Sequence, residues 1–171
     1  MLTKTFVETI FDSASIRRWN DFVCPVHFTE LDKQAHKMIF AWVLAKMEYG
    51  DEDDSGQFHW DNYIAGAISQ FLQRVVLTDL KPHIYHRMIS EKGDEVNEFV
   101  VQQLYPQLKQ VDESFAELFC RFLREPAFAE TEKRLLRAAH FLATKWEFDI
   151  IYNFSTHIHG IETTRSEIEN Q

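Results

Sequence analysis

Apolar side chains recur along most of the chain at spacings of three and four residues, the period of an α-helix. The segment from Asp61 to about Leu77 is apolar on most of its sides, which predicts a central helix. Further helices are predicted over residues 3–12, 29–48, 82–91, 94–109, 112–124 and 131–154. Because no convincing run alternates apolar and polar residues as a strand does, the pattern predicts an all-α fold of about seven helices.

Helix ends and buried faces are also marked in the sequence. Thr29 and Asp32 have the spacing of a capping box, in which a hydroxyl and a carboxylate bind the first free amides of a helix. We expect one apolar stripe of that helix to face the core: His36, Ile39, Phe40, Val43 and Met47. In the central helix, the small residues 65–67 predict close approach by another helix.

Composition favours one helical domain. The chain has 171 residues, of which 45% are hydrophobic, and fifteen Phe supply large core side chains. This excludes disorder for most of the length, and five Gly with four Pro are too few for a turn-rich β-sandwich or barrel. We expect a single domain over residues 1–155 and a polar C-terminal tail over 156–171.

The net charge and the two cysteines limit the possible binding partners and the cellular compartment. The net charge of −9 repels a phosphate polymer, so binding of DNA or RNA is not expected, whereas a small phosphorylated metabolite remains compatible with a local pocket. Cys24 and Cys120 are isolated, which excludes a disulfide scaffold and a cysteine-rich zinc site. Without a secretory signal or a run of about 18 apolar residues, the expectation is a cytoplasmic protein that does not enter a membrane.

No P-loop, GxGxxG, GxSxG or HExxH motif is present. Three stretches do carry a family likeness: Arg18-Trp19 ahead of a helix with His36, residues 67–80 (AISQFLQRVVLTDL), and residues 135–143 (LLRAAHFLA). In their order and spacing they resemble the HD-domain superfamily, and within it the bacterial 5′-deoxynucleotidase-like phosphohydrolases. The resemblance covers roughly residues 10–155 and implies a homodimeric helical bundle.

In that family two histidines and two aspartates hold a divalent cation that activates water, and a nearby glutamate handles protons. Here His36 matches the first histidine, but the central pair falls on Gln70 and Phe71, the glutamate on Arg74, and the last aspartate on His140. The resemblance therefore implies that the ordinary metal centre is absent. A rearranged centre holding Mn, Co, Zn or Mg would have to use His36, His140 and Gln70.

The positions that bind substrate in the resembling family agree better with this sequence than the metal-binding positions do. Arg18, Trp19 and Asp79 match residues that bind phosphate, pack on the nucleoside and contact the sugar in the resembling proteins. Arg74 would add a second positive charge, which can hold an anion without activating water. Each residue also has an ordinary structural interpretation, because the histidines can be core residues and Arg74 can form a salt bridge.

Three hypotheses follow. In the first, the protein is a divergent HD-domain phosphohydrolase-like chain that binds a nucleoside monophosphate or another small phosphorylated ligand without hydrolysing it. In the second, it is an active, metal-dependent nucleoside monophosphate phosphohydrolase with a rearranged centre. In the third, the bundle is a non-catalytic, dimeric interaction scaffold. The sequence does not decide whether the chain is an enzyme.

Overall fold

The computed structural model describes residues 2–50, 58–78, 80, 82–125 and 128–170. These residues form seven helices and, apart from one isolated bridge between Arg17 and Thr29, no strand pairing. The helices are α1 (Lys4–Asp12), α2 (Glu30–Tyr49), α3 (Trp60–Val76), α4 (Pro82–Val111), α5 (Glu113–Arg124), α6 (Glu130–Ser155) and α7 (Ile161–Glu169). For the described part of the chain, the prediction of an all-α fold with about seven helices is confirmed.

The predicted helix ends agree well with the observed ones. Thr29 caps α2, its hydroxyl accepting from the amide of Asp32 while the Asp32 carboxylate accepts from the amide of Thr29, so the capping box is present. The break expected near Gly93 falls at Lys92, whose φ of −142° and ψ of 33° interrupt α4. None of the helices in the described residues is long and apolar enough to cross a membrane.

The helices fall into two compact units. Unit 1 comprises residues 1–16 and 59–129 and contains α1, α3, α4 and α5. Its core is apolar, with Leu72, Leu108 and Phe119 fully buried. At the small residues of α3, the group that approaches closely is an aromatic ring and not another helix. A Cβ atom at Gly66 would overlap the ring of Phe128, which follows α5.

Unit 1 also buries an uncharged polar network. The Gln73 amide donates to Asn97 and accepts from the Tyr85 hydroxyl, and Asn97 donates to the carbonyl of Leu123. These bonds join α3, α4 and the C-terminal end of α5. Since both amide side chains have partners, the network fixes how the helices pack without leaving a buried charge.

Unit 2 comprises residues 17–58 and 130–171 and is built on α2 packed against α6. Beyond α6, the chain differs from the polar tail expected after Thr156. It turns at Gly160, where φ is 88°, and forms α7, which buries Ile161 and Ile168 beside Phe148. Two isoleucines seven residues apart share one face of a short helix, and that face packs on α6.

The predicted buried stripe of α2 is wrong. Ile39, Val43 and Met47 are exposed, and His36 and Phe40 are half-buried. The face of α2 that packs on α6 instead carries charged and small residues: Glu30, Lys33, Lys37, Ala41 and Ala45. The helix is therefore polar inside and apolar outside, the reverse of an ordinary surface helix.

Candidate functional site

A cluster of charged side chains lies at the interface between α2 and α6 of unit 2. Glu30, Lys33 and Lys37 are spaced by three and four residues, so they share one face of α2, and all three are buried. On α6 the corresponding face carries Thr144, which is buried, and Glu147, which is fully buried. Charged residues are almost never buried without partners, so the partners within this cluster decide its chemistry.

Arg18 and Trp19 form one end of the cluster. The Arg18 guanidinium donates through Nε to Glu147 at 2.9 Å and through Nη1 to Glu30 at 2.9 Å. The Trp19 indole donates to the same Glu147 oxygen at 2.7 Å and packs on Phe148. Trp19 has a φ of 62°, an uncommon conformation for a bulky residue, which these contacts hold in place.

Lys33 forms the middle of the cluster. Its ammonium nitrogen lies 3.2 Å from Nε2 of His140, a residue on the exposed side of α6. His140 is exposed while Lys33 is buried, so this contact joins a buried amine to an exposed imidazole. The cluster therefore meets solvent at His140.

Several polar atoms of this region have no hydrogen-bond partner. They are Oε1 of Glu147, Oγ1 of Thr144 and Nδ1 of His36, all of them buried. Among the described residues no hydrogen bond or ion pair reaches the ammonium of Lys37 either, although only 6% of that residue is exposed. Buried polar atoms nearly always have partners, so a group of unpartnered ones on two facing helices makes this region the candidate site.

Burial changes the proton affinity of both lysines. Loss of solvation lowers the pKa of Lys37 to about 8, helped by Arg18 and opposed by the carboxylate of Glu30. The pKa of Lys33 is also lowered well below the usual range, first by burial and then by Arg18, against Glu30 and Glu147. Burial is the main cause of both shifts, and the neighbouring carboxylates offset it only in part.

The other site residues predicted from the sequence belong to unit 1 or lie outside the described residues. Gln70 and Arg74 are on α3 in unit 1. Gln70 is exposed, and Arg74 donates to the carbonyl of Leu80 and lies 5.1 Å from the ring centre of Tyr85. Asp79, predicted to contact the ligand, lies outside the described residues.

The residues do not fit a divalent metal ion. His140 is in contact with the amine of Lys33, where a cation would meet a second positive charge. The ring of His36 instead packs against Trp146, 4.8 Å between centroids. Within the described residues no group of three His, Cys, Asp or Glu side chains is placed to hold a metal.

Glu30, Lys33, Lys37 and Glu147 are not among the site residues that the sequence predicts. A signal for the first three exists, since charged residues three and four apart mark one face of the helix as surely as apolar ones do. An apolar stripe on the same helix competes with this signal, because periodicity alone favours the apolar face as the buried one. Glu147 carries no comparable local signal, since its partner Arg18 is 129 residues away in sequence.

The chain matches no family model and no curated protein.

Proposed function

We propose that this chain is a divergent HD-domain-like protein that binds a small phosphorylated ligand, such as a nucleoside monophosphate, without hydrolysing it. The observation that carries the proposal is the charge of the buried cluster. Arg18, Lys33 and Lys37 supply three cationic side chains against the two carboxylates of Glu30 and Glu147. Because buried charges require partners, an anion is the group that this cluster lacks.

The same cluster disfavours hydrolysis by a metal-activated water. Phosphohydrolases of the resembling kind need a cation with an open coordination position beside the phosphate. Here an amine lies against His140, and the donors for a metal are missing among the described residues. A lysine in this place attracts the phosphoryl oxygens but cannot lower the pKa of a water molecule as a metal does.

Isothermal titration calorimetry tests the binding. Untagged protein is titrated with nucleoside monophosphates, and with the corresponding nucleosides as the matched control that lacks the phosphoryl group. We expect saturable heat with the monophosphates alone, and a raised melting temperature, because a ligand that binds only the native state stabilises it. Absence of heat at millimolar monophosphate contradicts the proposal.

A dimeric interaction scaffold is the second candidate, and the inverted helix α2 favours it. Ile39, Trp42 and Met47 are 60%, 55% and 79% exposed on one helix face. Such a continuous stripe can pair with the same stripe of a second copy about a two-fold axis. Sedimentation velocity of wild type and Trp42→Glu tests this, since we expect a dimer that the substitution turns into a folded monomer; a monomeric wild type contradicts it.

The setting that we propose is the cytoplasm. Cys24 and Cys120 are both free thiols, as expected where disulfides are kept reduced. The net charge of −9 supports a small ligand over a nucleic-acid polymer as the phosphorylated partner.

A further inference from the structure

The arginine expected to bind the phosphoryl group already forms ion pairs within the protein. Arg18 has a carboxylate on each side, Glu147 at Nε and Glu30 at Nη1, both at 2.9 Å. Taken together these three side chains carry one net negative charge. An incoming anion would therefore have to displace a carboxylate before it gained the full attraction of Arg18.

The two lysines are in the opposite situation. The ammonium of Lys37 has no hydrogen bond or ion pair within the described residues, and Lys33 has the imidazole of His140 as its contact. Lys37 lies four residues beyond Lys33, one helical turn further along the same buried face. When both lysines are protonated, their two positive charges exceed the net negative charge of Arg18, Glu30 and Glu147 by one.

A buried hydroxyl without a hydrogen-bond partner lies on the same helix as His140. Oγ1 of Thr144 is unpartnered on α6, one turn after His140. A hydroxyl in that place can donate to an oxyanion that the lysines attract. His140, whose imidazole contacts Lys33, is itself exposed to solvent at this end of the lysine pair.

We infer that Lys37 and Lys33, and not Arg18, bind the phosphoryl group of the ligand, and that they do so without a divalent metal ion. This rests on the proposed function and names the residues that perform it. Two ammonium groups one turn apart supply the double positive charge that a divalent cation would otherwise bring to a phosphate dianion. The buried position strengthens that attraction because little solvent screens it.

The test combines calorimetry with three lysine variants, each in EDTA and again with added Mn²⁺. The probes are inorganic phosphate and a nucleoside monophosphate. Lys37→Met removes the proposed contact, Lys37→Arg retains the charge, and Lys145→Met is the matched control, because Lys145 pairs with Asp149 on the surface of α6. Circular dichroism verifies that each variant folds, and loss of a buried charge should favour folding of Lys37→Met.

We expect the monophosphate to bind wild type equally well in EDTA and in Mn²⁺. Lys37→Met should weaken binding about tenfold or more, the worth of one charge-assisted hydrogen bond, while Lys145→Met leaves it unchanged and Lys37→Arg retains most of it. If inorganic phosphate binds as tightly as the monophosphate, the inference is supported, and the protein recognises only the phosphoryl group of the ligand.

Two other outcomes separate the inference from the function on which it rests. Binding that is unchanged in Lys37→Met, or that requires Mn²⁺, overturns the inference but leaves a phosphorylated ligand in place. No binding of either probe to wild type, with or without Mn²⁺, overturns the proposed function and the inference with it.

Discussion

The amide network of unit 1 and the charged cluster of unit 2 differ in how their side chains are paired. In unit 1 the amides of Gln73 and Asn97 and the hydroxyl of Tyr85 bond to one another and to a backbone carbonyl, so the network is neutral and has partners throughout. In unit 2 the interface of α2 and α6 buries lysines, an arginine and carboxylates with partners missing at Lys37 and Glu147. A satisfied neutral network stabilises packing, whereas a charged cluster with unpartnered atoms is costly to bury.

The largest expected effect comes from removing the carboxylate that holds Arg18 and Trp19. Glu147→Ala leaves a buried guanidinium with one carboxylate fewer and an indole N–H without its acceptor, so we expect a loss of about 3–5 kcal/mol in the free energy of unfolding. Gln73→Ala in unit 1 is the comparison, with an expected loss of about 1–3 kcal/mol. Urea denaturation measures both, and equal losses would remove the contrast between the units.

Lys37→Met should act in the opposite direction, making the protein more stable. The pKa of Lys37 is lowered by burial to about 8, so at pH 7 the native state carries a charge that the unfolded chain solvates better. Removing it should stabilise the native state at pH 7 by up to about 3 kcal/mol, from the size of the pKa shift. Arg18, Glu30 and Lys33 are the charged groups around it.

The stabilisation expected from Lys37→Met should decrease as the pH rises. Between pH 8 and the ordinary lysine value near 10.4, the unfolded chain keeps the Lys37 proton while the native state loses it, so raising the pH stabilises native wild type. The advantage of Lys37→Met should therefore shrink to about 1 kcal/mol or less at pH 10. Thermal unfolding at both pH values measures it, and a constant advantage would show that charge is not the cause.

The smallest effect is expected at an exposed ion pair. Arg124 contacts Glu98 at 2.8 Å in unit 1, with about half of each side chain exposed to solvent. Since water screens such a pair, Arg124→Ala should change the free energy of unfolding by less than about 1 kcal/mol. A larger change would show that solvent exposure is not the reason why the ion pair of Glu98 contributes less to stability than the ion pair of Glu147.

The sequence predicted the helices well because helix period and capping are local. Thr29 with Asp32 and the break near Gly93 are each decided by neighbouring residues, and both were found. The side of α2 that faces inward was not predicted correctly. The choice between its apolar stripe and its charged face depends on what α6 presents, and periodicity alone does not contain that information.

The candidate site was predicted only in part. The sequence pointed to Arg18, Trp19 and His140, and in the structure these residues contact Glu147 or Lys33. The resemblance pointed to histidines and not to Lys33 or Lys37, because a buried lysine has no distinctive local pattern. His36, predicted beside His140, packs on Trp146 instead, which no spacing within α2 could have indicated.

The most direct test of the account follows Lys37 itself. NMR of protein labelled with ¹³C at lysine Cε reports the surroundings of each ammonium while a nucleoside monophosphate is added in EDTA. The account predicts a saturable shift of the Lys37 signal, with Lys33 responding at the same ligand concentration and Lys145 unchanged. A ligand that saturates the protein while the Lys37 signal stays in place would contradict the account.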